Sequence, residues 1–406
     1  MNRTGGFGRR WWSRTQTQTQ GKGSCLQMNQ IWKQIWTGSV TRTAVMHGHS
    51  CFFIRRLVTD STSHLSSAVT WYDIQLKEQI QKHRQHLKKD NAVSILRNPG
   101  VLVLRKLTKD DLLELLASSV VYQENPLIAI NKPSGLPITG KDLSLSSLLP
   151  ELQQRLHLSK ELHIVKASSR DYSGLVLLST CHQTTKHIED AFIRARRKKE
   201  AFTSYCAVTV GVPEPAEGEI SVALKKQNIG EHELVVPVFH PTPGNFQRKE
   251  VKKAVTRYKV LDTTDGCALV QLQPLASFES LLQVHLTVKL CAVLGDHVHS
   301  ARLGKVLGVP FCLPVESAIP RTQVLDKSLL RKLHFDQKQM WKMPLHLHLH
   351  KLLIPPFETK KSETVITGAP PAYFLRTLEL LGLTMNEFAE ENITKRKYEP
   401  NTTKAD

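Results

Sequence analysis

Three histidines alternate with leucines in the run LHLHLH (345–350), so on a β-strand His346, His348 and His350 share one face and the leucines the other. Three imidazoles on one face form a ligand set that some catalytic zinc sites use. The plainer reading is a half-buried strand with histidine on its polar side, and it is preferred because no further ligand is implied. A second cluster is RARRKK (194–199), where Arg194, Arg196, Arg197, Lys198 and Lys199 close a helical pattern. Cations there complement the helix dipole with no ligand at all. They also suit phosphate contact, which gives affinity and salt dependence but little sequence choice. The seven cysteines are scattered, odd in number and never in CxxC spacing, which argues against a zinc knuckle or disulfide scaffold and fits reduced core thiols.

The elements that would position these side chains follow from pattern. Thr108 followed by Asp111 predicts a capping box opening a helix over LLELLASSVV (112–121). PLIAI (126–130) predicts a short apolar strand, and NKPSGLP (131–137) a turn rich in Gly and Pro. A helix is expected from about Ser147 to His157, strands at LHIV (162–165) and GLVLLS (174–179), and a helix over 183–199. Further strands are FTSYCAVTV, EISVALK, ELVVPV, AVTRYKVLD and CALVQLQPL, between 202 and 275. Strand-rich sequence interrupted by a few helices predicts α+β rather than a regular βαβ array.

The charge balance narrows the partner. Lys+Arg number 55 against 36 Asp+Glu, a net +19, which favours a polyanion, nucleic acid before membrane. Residues 1–59 hold nine Lys/Arg and no acid, so +10 remains in the rest of the chain. That leading segment, rich in Arg, Ser, Thr and Gln, reads as a mitochondrial transit peptide, whether translation starts at Met1 or Met46. The alternative is a disordered basic tail that touches nucleic acid. No run of 18 apolar residues occurs, so no membrane-spanning helix is expected. Residues 60–107 read as a basic helical arm or linker, with a solvated helix over 71–90. A domain over 108–358 follows, and then an extension, 359–406, with one helix and a polar, frayed tail.

Ordered motifs give the domain a family likeness. PLIAINKPSGLPITG (126–140), SGLVLLS (173–179), YCAVTVG (205–211), LLQVHL (281–286) with VLGDHVHSARLG (293–304), and LHLHKLLIPP (347–356) resemble, in order, the motifs of RluA-type pseudouridine synthases. The resemblance implies an α+β pseudouridine synthase fold, with a mixed, largely antiparallel sheet, flanking helices and a central RNA-binding cleft. It implies uridine isomerisation in RNA without cofactor or metal.

The family's catalytic loop, H-R-L-D-R-x-T-S-G, aligns on Lys166–Gly174. The family nucleophile, Asp, falls on Ser169, its second Arg on Arg170 and its Thr on Tyr172. The Arg that pairs with that Asp falls on Gln283. A serine hydroxyl needs an adjacent base to become a nucleophile, whereas a carboxylate is ready-made. Asp171 is the substitute carboxylate, set against the plain reading of an ordinary loop residue. Removing one member of a buried ion pair strands a charge at a cost of about 3–5 kcal/mol, while removing both is nearly neutral, so Ser169 with Gln283 reads as an uncharged version of the pair. By the same resemblance Tyr205 stacks on the target uracil and Arg170 contacts phosphate; Lys132 is also expected at the RNA, and the +10 charge of the body favours RNA contact by Arg194, Arg196, Arg197 and Lys198 over a merely solvated face. Two functions stay open: a pseudouridine synthase of mitochondrial mRNA or rRNA in the matrix, and a non-catalytic RNA-binding factor in RNA maturation or ribosome assembly. A third, weaker one is a protein scaffold using a C-terminal helix around Tyr373–Leu383.

Overall fold

The computed structural model describes residues 94–97, 101–140, 143–357 and 362–385. The transit-like segment, the expected helix over 71–90 and the polar tail lie outside them. The capping box forms as expected: the Thr108 side chain accepts from the Asp111 backbone and Asp111 answers the Thr108 N–H, opening α1 (Lys109–Ser118). The helix stops three residues earlier than expected, because Val120 and Val121 begin a strand, where β-branched side chains fit a pleated surface better than a helix. The elements then run β1 (Val120–Glu124), β2 (Leu127–Lys132), α2 (Leu145–Arg155), β3 (His163–Lys166), β4 (Ser173–Ser179) and α3 (His182–Arg197). β5 (Thr203–Val210), β6 (Glu217–Ile229), β7 (His232–Val238), β8 (Lys252–Thr264) and β9 (Cys267–Pro274) follow as a run of strands. α4 (Leu281–Val288), β10 (Ala292–Val293), β11 (Leu303–Val306), β12 (Val309–Cys312), β13 (Leu347–Ile354), β14 (Thr364–Thr367) and α5 (Ala372–Leu381) come next, with short helices at Pro243–Gln247 and Lys327–Lys332 besides.

Twelve of these strands form one sheet in the order β1-β2-β4-β13-β5-β9-β8-β6-β7, with β3 on β4, β10 on β5 and β14 on β13. Every pairing is antiparallel except β4 with β13. β4 is buried along its whole length, which is why it reads as a continuous apolar run. Its Leu175 and Leu177 join one core cluster, while Val176 and Leu178 face the α1–α2 side. Gly174, at φ +118°, lies where a Cβ would meet the backbone of Leu349 on β13, so only glycine lets these strands approach. Among the described residues no helix is long and apolar enough to cross a membrane.

Residues 362–385 are part of this core rather than an appendage. β14 extends the sheet from β13, and α5 buries Tyr373, Phe374, Leu378 and Leu381 against the face opposite α3. That burial removes the helix around Tyr373–Leu383 as a free protein-docking surface.

The histidine row is also more enclosed than a half-buried strand allows. His346, His348 and His350 are all buried, because the C-terminal segment closes over them. The His348 Nε2–H donates to Gly368 O at 3.1 Å and its Nδ1 accepts from the Ser173 hydroxyl at 2.9 Å. His350 donates through Nδ1 to the same Gly368 O at 2.7 Å, and His346 bonds Pro344 O and Thr377 Oγ1. These rings are staples between β13, β4 and the C-terminal segment. Among the described residues no group of three His, Cys, Asp or Glu side chains is placed to hold a metal.

Burial pulls the three imidazoles down to about 4, 3 and 4, against about 6.5 in an unfolded chain. Between those limits the unfolded chain binds more protons, so stability is complete above pH 6.5 and falls as pH drops towards 4. Urea unfolding at pH 7 and pH 5 is expected to show a loss on the order of 1–2 kcal/mol per histidine, with a smaller loss in His348→Asn. A midpoint that does not move would count against neutral, structural histidines.

Candidate functional site

Two loops meet where β2 ends and β4 begins, and a lysine ties them. Lys132 is 1% exposed, and its ammonium donates to the carbonyls of Tyr172 (2.7 Å), Pro133 (3.0 Å), Arg170 (3.0 Å) and Leu136 (3.3 Å). Gly135 N–H donates to Arg170 O at 2.9 Å, Arg170 Nε returns a bond to Gly135 O at 3.3 Å, and the Ser134 hydroxyl donates to Asp171 O at 2.7 Å. The expected RNA contact through Lys132 is therefore corrected: four carbonyls surround its head group, and none of it is left for a phosphate. Burial pulls Lys132 down to about 7, with the Asp171 charge opposing that shift.

Within the strapped loop the side chains part company. Ser169, Arg170 and Asp171 are exposed, and Tyr172 turns inward. The Tyr172 hydroxyl donates to Gln283 Oε1 on α4 at 2.5 Å. The uncharged partner of Gln283 is thus Tyr172 rather than Ser169. A phenol is long enough to reach the core from this loop, and a serine at an exposed position is not. Tyr172 packs edge-on to Tyr205 of β5, with ring centroids 6.1 Å apart and planes at 86°. Burial holds the Tyr172 phenol well above its ordinary range, aided by Tyr205, then Asp296, then Asp171, with the nearby Ser169 hydroxyl opposing them. Burial alone pushes Tyr205 up as well. Both phenols are neutral hydrogen-bonding groups at physiological pH.

The pocket in front of these rings holds about 70 Å³ and is lined by Tyr172, Tyr205, Lys166, Arg196, Phe202 and Leu281, among others. An apolar cavity of about 150 Å³ holds benzene, so the space here is too small to enclose a whole nucleobase. Two larger concavities, of about 590 and 370 Å³, include neither Tyr172 nor Tyr205.

Of the basic run, Arg194, Arg197 and Lys198 are exposed, whereas Arg196 is half-buried on the pocket wall. The structure adds residues that the sequence reading passed over. Lys166 stands beside Arg196 on the same wall. Asp296, 3% exposed, accepts from the N–H groups of Val298 and His299 through Oδ1 at 2.9 Å, and its Oδ2 is buried with no partner among the described residues. The GD pair in VLGDHVHSARLG was the available signal. His285 on α4 is likewise fully buried with neither ring nitrogen bonded, and burial takes it down to about 4.

Comparison with known proteins supplies the context. The RNA pseudouridylate synthase family model matches residues 126–287. The chain is 47% identical over 285 residues to mitochondrial mRNA pseudouridine synthase RPUSD3 of Homo sapiens, covering 70% of this chain and 81% of that one. It is 44% identical over 306 residues to the Mus musculus protein of the same name, covering 75% and 88%. The solved human RNA Pseudouridylate Synthase Domain Containing 4 superposes with a TM-score of 0.54 at 27% identity, over 68% of this chain and 98% of that one. The α+β fold expected from the motifs is the fold observed.

Hydrogen bonds to a charged group contribute about 1.5–3 kcal/mol, and unmaking them here strands carbonyls in the interior. Lys132→Met is expected to lower the unfolding free energy by about 3 kcal/mol in urea titrations. A loss below about 0.5 kcal/mol would show that the two loops hold without their tie.

Proposed function

We propose, since this chain belongs to the RNA pseudouridylate synthase family, that it isomerises uridine to pseudouridine in mitochondrial RNA, mRNA before rRNA. The reaction breaks the bond from ribose C1′ to uracil N1, joins C1′ to C5, and moves the C5 proton to N1, so no redox partner is needed. The observation that carries the reading is the neutral tyrosine pocket built by family motifs on a strapped loop. Tyr205 supplies an apolar face and a phenol at that pocket, suited to packing on uracil. Asp171 is the carboxylate of the loop and the candidate for the covalent or acid–base step. Ser169, at the family's Asp position, is exposed on the same loop as Asp171. Arg170, Arg194, Arg197 and Lys198 are exposed cations for the RNA backbone. The names of the relatives and the acid-free leader favour the mitochondrion, and a soluble RNA substrate favours its matrix. The domain responsible spans 108–385, which takes in the C-terminal segment.

The second reading, an RNA-binding factor without catalysis, is favoured by one observation: the Tyr172–Gln283 bond closes the site with neutral groups. Pseudouridine mapping on a mitochondrial transcript separates the two. Wild-type protein is expected to leave pseudouridine, and Asp171→Ala to slow it by about 10²-fold or more. If both bind the transcript and neither modifies it, the binding-factor reading replaces the enzyme.

A further inference from the structure

Lys166 and Arg196 come from different elements, the end of β3 and the last turn of α3, yet line the same pocket as Tyr205. Their head groups lie 5.8 and 5.6 Å from the centre of one ring, Phe202. That ring is held in place by stacking on Phe192 of α3, centroid to centroid 4.2 Å, so the two cations converge on a rigid platform. Neither has a hydrogen bond or a carboxylate partner among the described residues. Other basic side chains in the same fold are matched: Arg155 with Asp110 and Glu114, Lys226 with Glu233 and Glu279, Arg248 with Glu250. Two half-buried like charges side by side repel. Burial, and then Arg196, holds the Lys166 ammonium below the ordinary lysine range. An aromatic face attracts each cation but carries no net charge, so the repulsion stands until an anion arrives.

We infer that Lys166 and Arg196 form a clamp for one RNA backbone phosphate, that of the nucleotide whose base is presented to the Tyr205 pocket. An ammonium donates as a point charge and a guanidinium as a planar fork, and both sets of protons converge well on tetrahedral phosphate oxygens. Thr203 and Ser277 line the same pocket and add hydroxyl donors. The clamp is distinct in kind from Arg194, Arg197 and Lys198, whose exposed charges attract any phosphate along the strand. It sets which linkage sits at the pocket. This rests on the reading of the chain as an RNA-acting protein.

The test uses the full chain and short oligouridylates in which one linkage at a time is a neutral methylphosphonate. Equilibrium binding is measured for wild type, Lys166→Met, Arg196→Met and the charge-preserving Lys166→Arg. One linkage is expected whose neutralisation weakens wild type about tenfold, weakens Lys166→Arg similarly, and leaves each methionine variant within about twofold. If every neutralised linkage weakens all four proteins by the same factor, the clamp is overturned while RNA binding stands. If wild type binds no oligouridylate, the RNA-acting reading falls, and the clamp with it. Should Lys166→Met fail to fold, Arg196→Met carries the same comparison.

Discussion

An ammonium group enclosed by four backbone carbonyls is an expensive thing to bury and an effective thing to have buried. Lys132 brings three donors to a place where two irregular loops would otherwise leave polar oxygens without water or strand partners. The Gly135–Arg170 and Ser134–Asp171 bonds add to this tie, but each joins only one pair of residues. Lys132 bonds two carbonyls in each loop from the end of β2. What Tyr172 can reach, where Ser169 and Asp171 are displayed, and how β4 enters the sheet all follow from that tie.

Behind it the interior is organised around neutral groups. Gln283 accepts from a phenol, Tyr205 packs edge-on to the same ring, and the histidines of β13 bond as uncharged imidazoles. A buried ion pair has to recover a desolvation cost that a neutral hydrogen bond barely incurs. The charges that remain near the pocket are therefore at its rim, Lys166 and Arg196, or set back from it, as with Asp296. The arrangement suits a site that receives a polyanion from outside and handles a neutral heterocycle within.

Much of the scaffold is legible in the sequence. Alternation and β-branched runs located β2, β4, β5 and the antiparallel strands β6 to β9, and Thr108 with Asp111 announced α1. The site was less legible, for a physical reason. The partners of Lys132 are carbonyls, which every residue carries, so no side-chain pattern marks them, and a lysine in a Gly/Pro turn reads as exposed. Gln283 and Tyr172 are 111 residues apart, and which loop residue turns inward is decided by the strapping. Periodicity placed the histidines on one strand face, but their depth depends on Ser173, Gly368 and Thr377, supplied by other segments.

The position of β13 has a consequence for how the chain reaches this state. Residues 347–354 lie between β4 and β5, in the middle of a sheet whose other central strands come from far earlier in the chain. Until that late strand arrives, β4 lacks its parallel neighbour and β5 keeps an open edge, each an apolar ribbon with unsatisfied backbone groups. The sheet therefore cannot be completed progressively from the N-terminus. Its two halves wait for a keystone that follows every other central strand in the chain, which makes the contact order high and leaves the unfinished chain with exposed apolar edges.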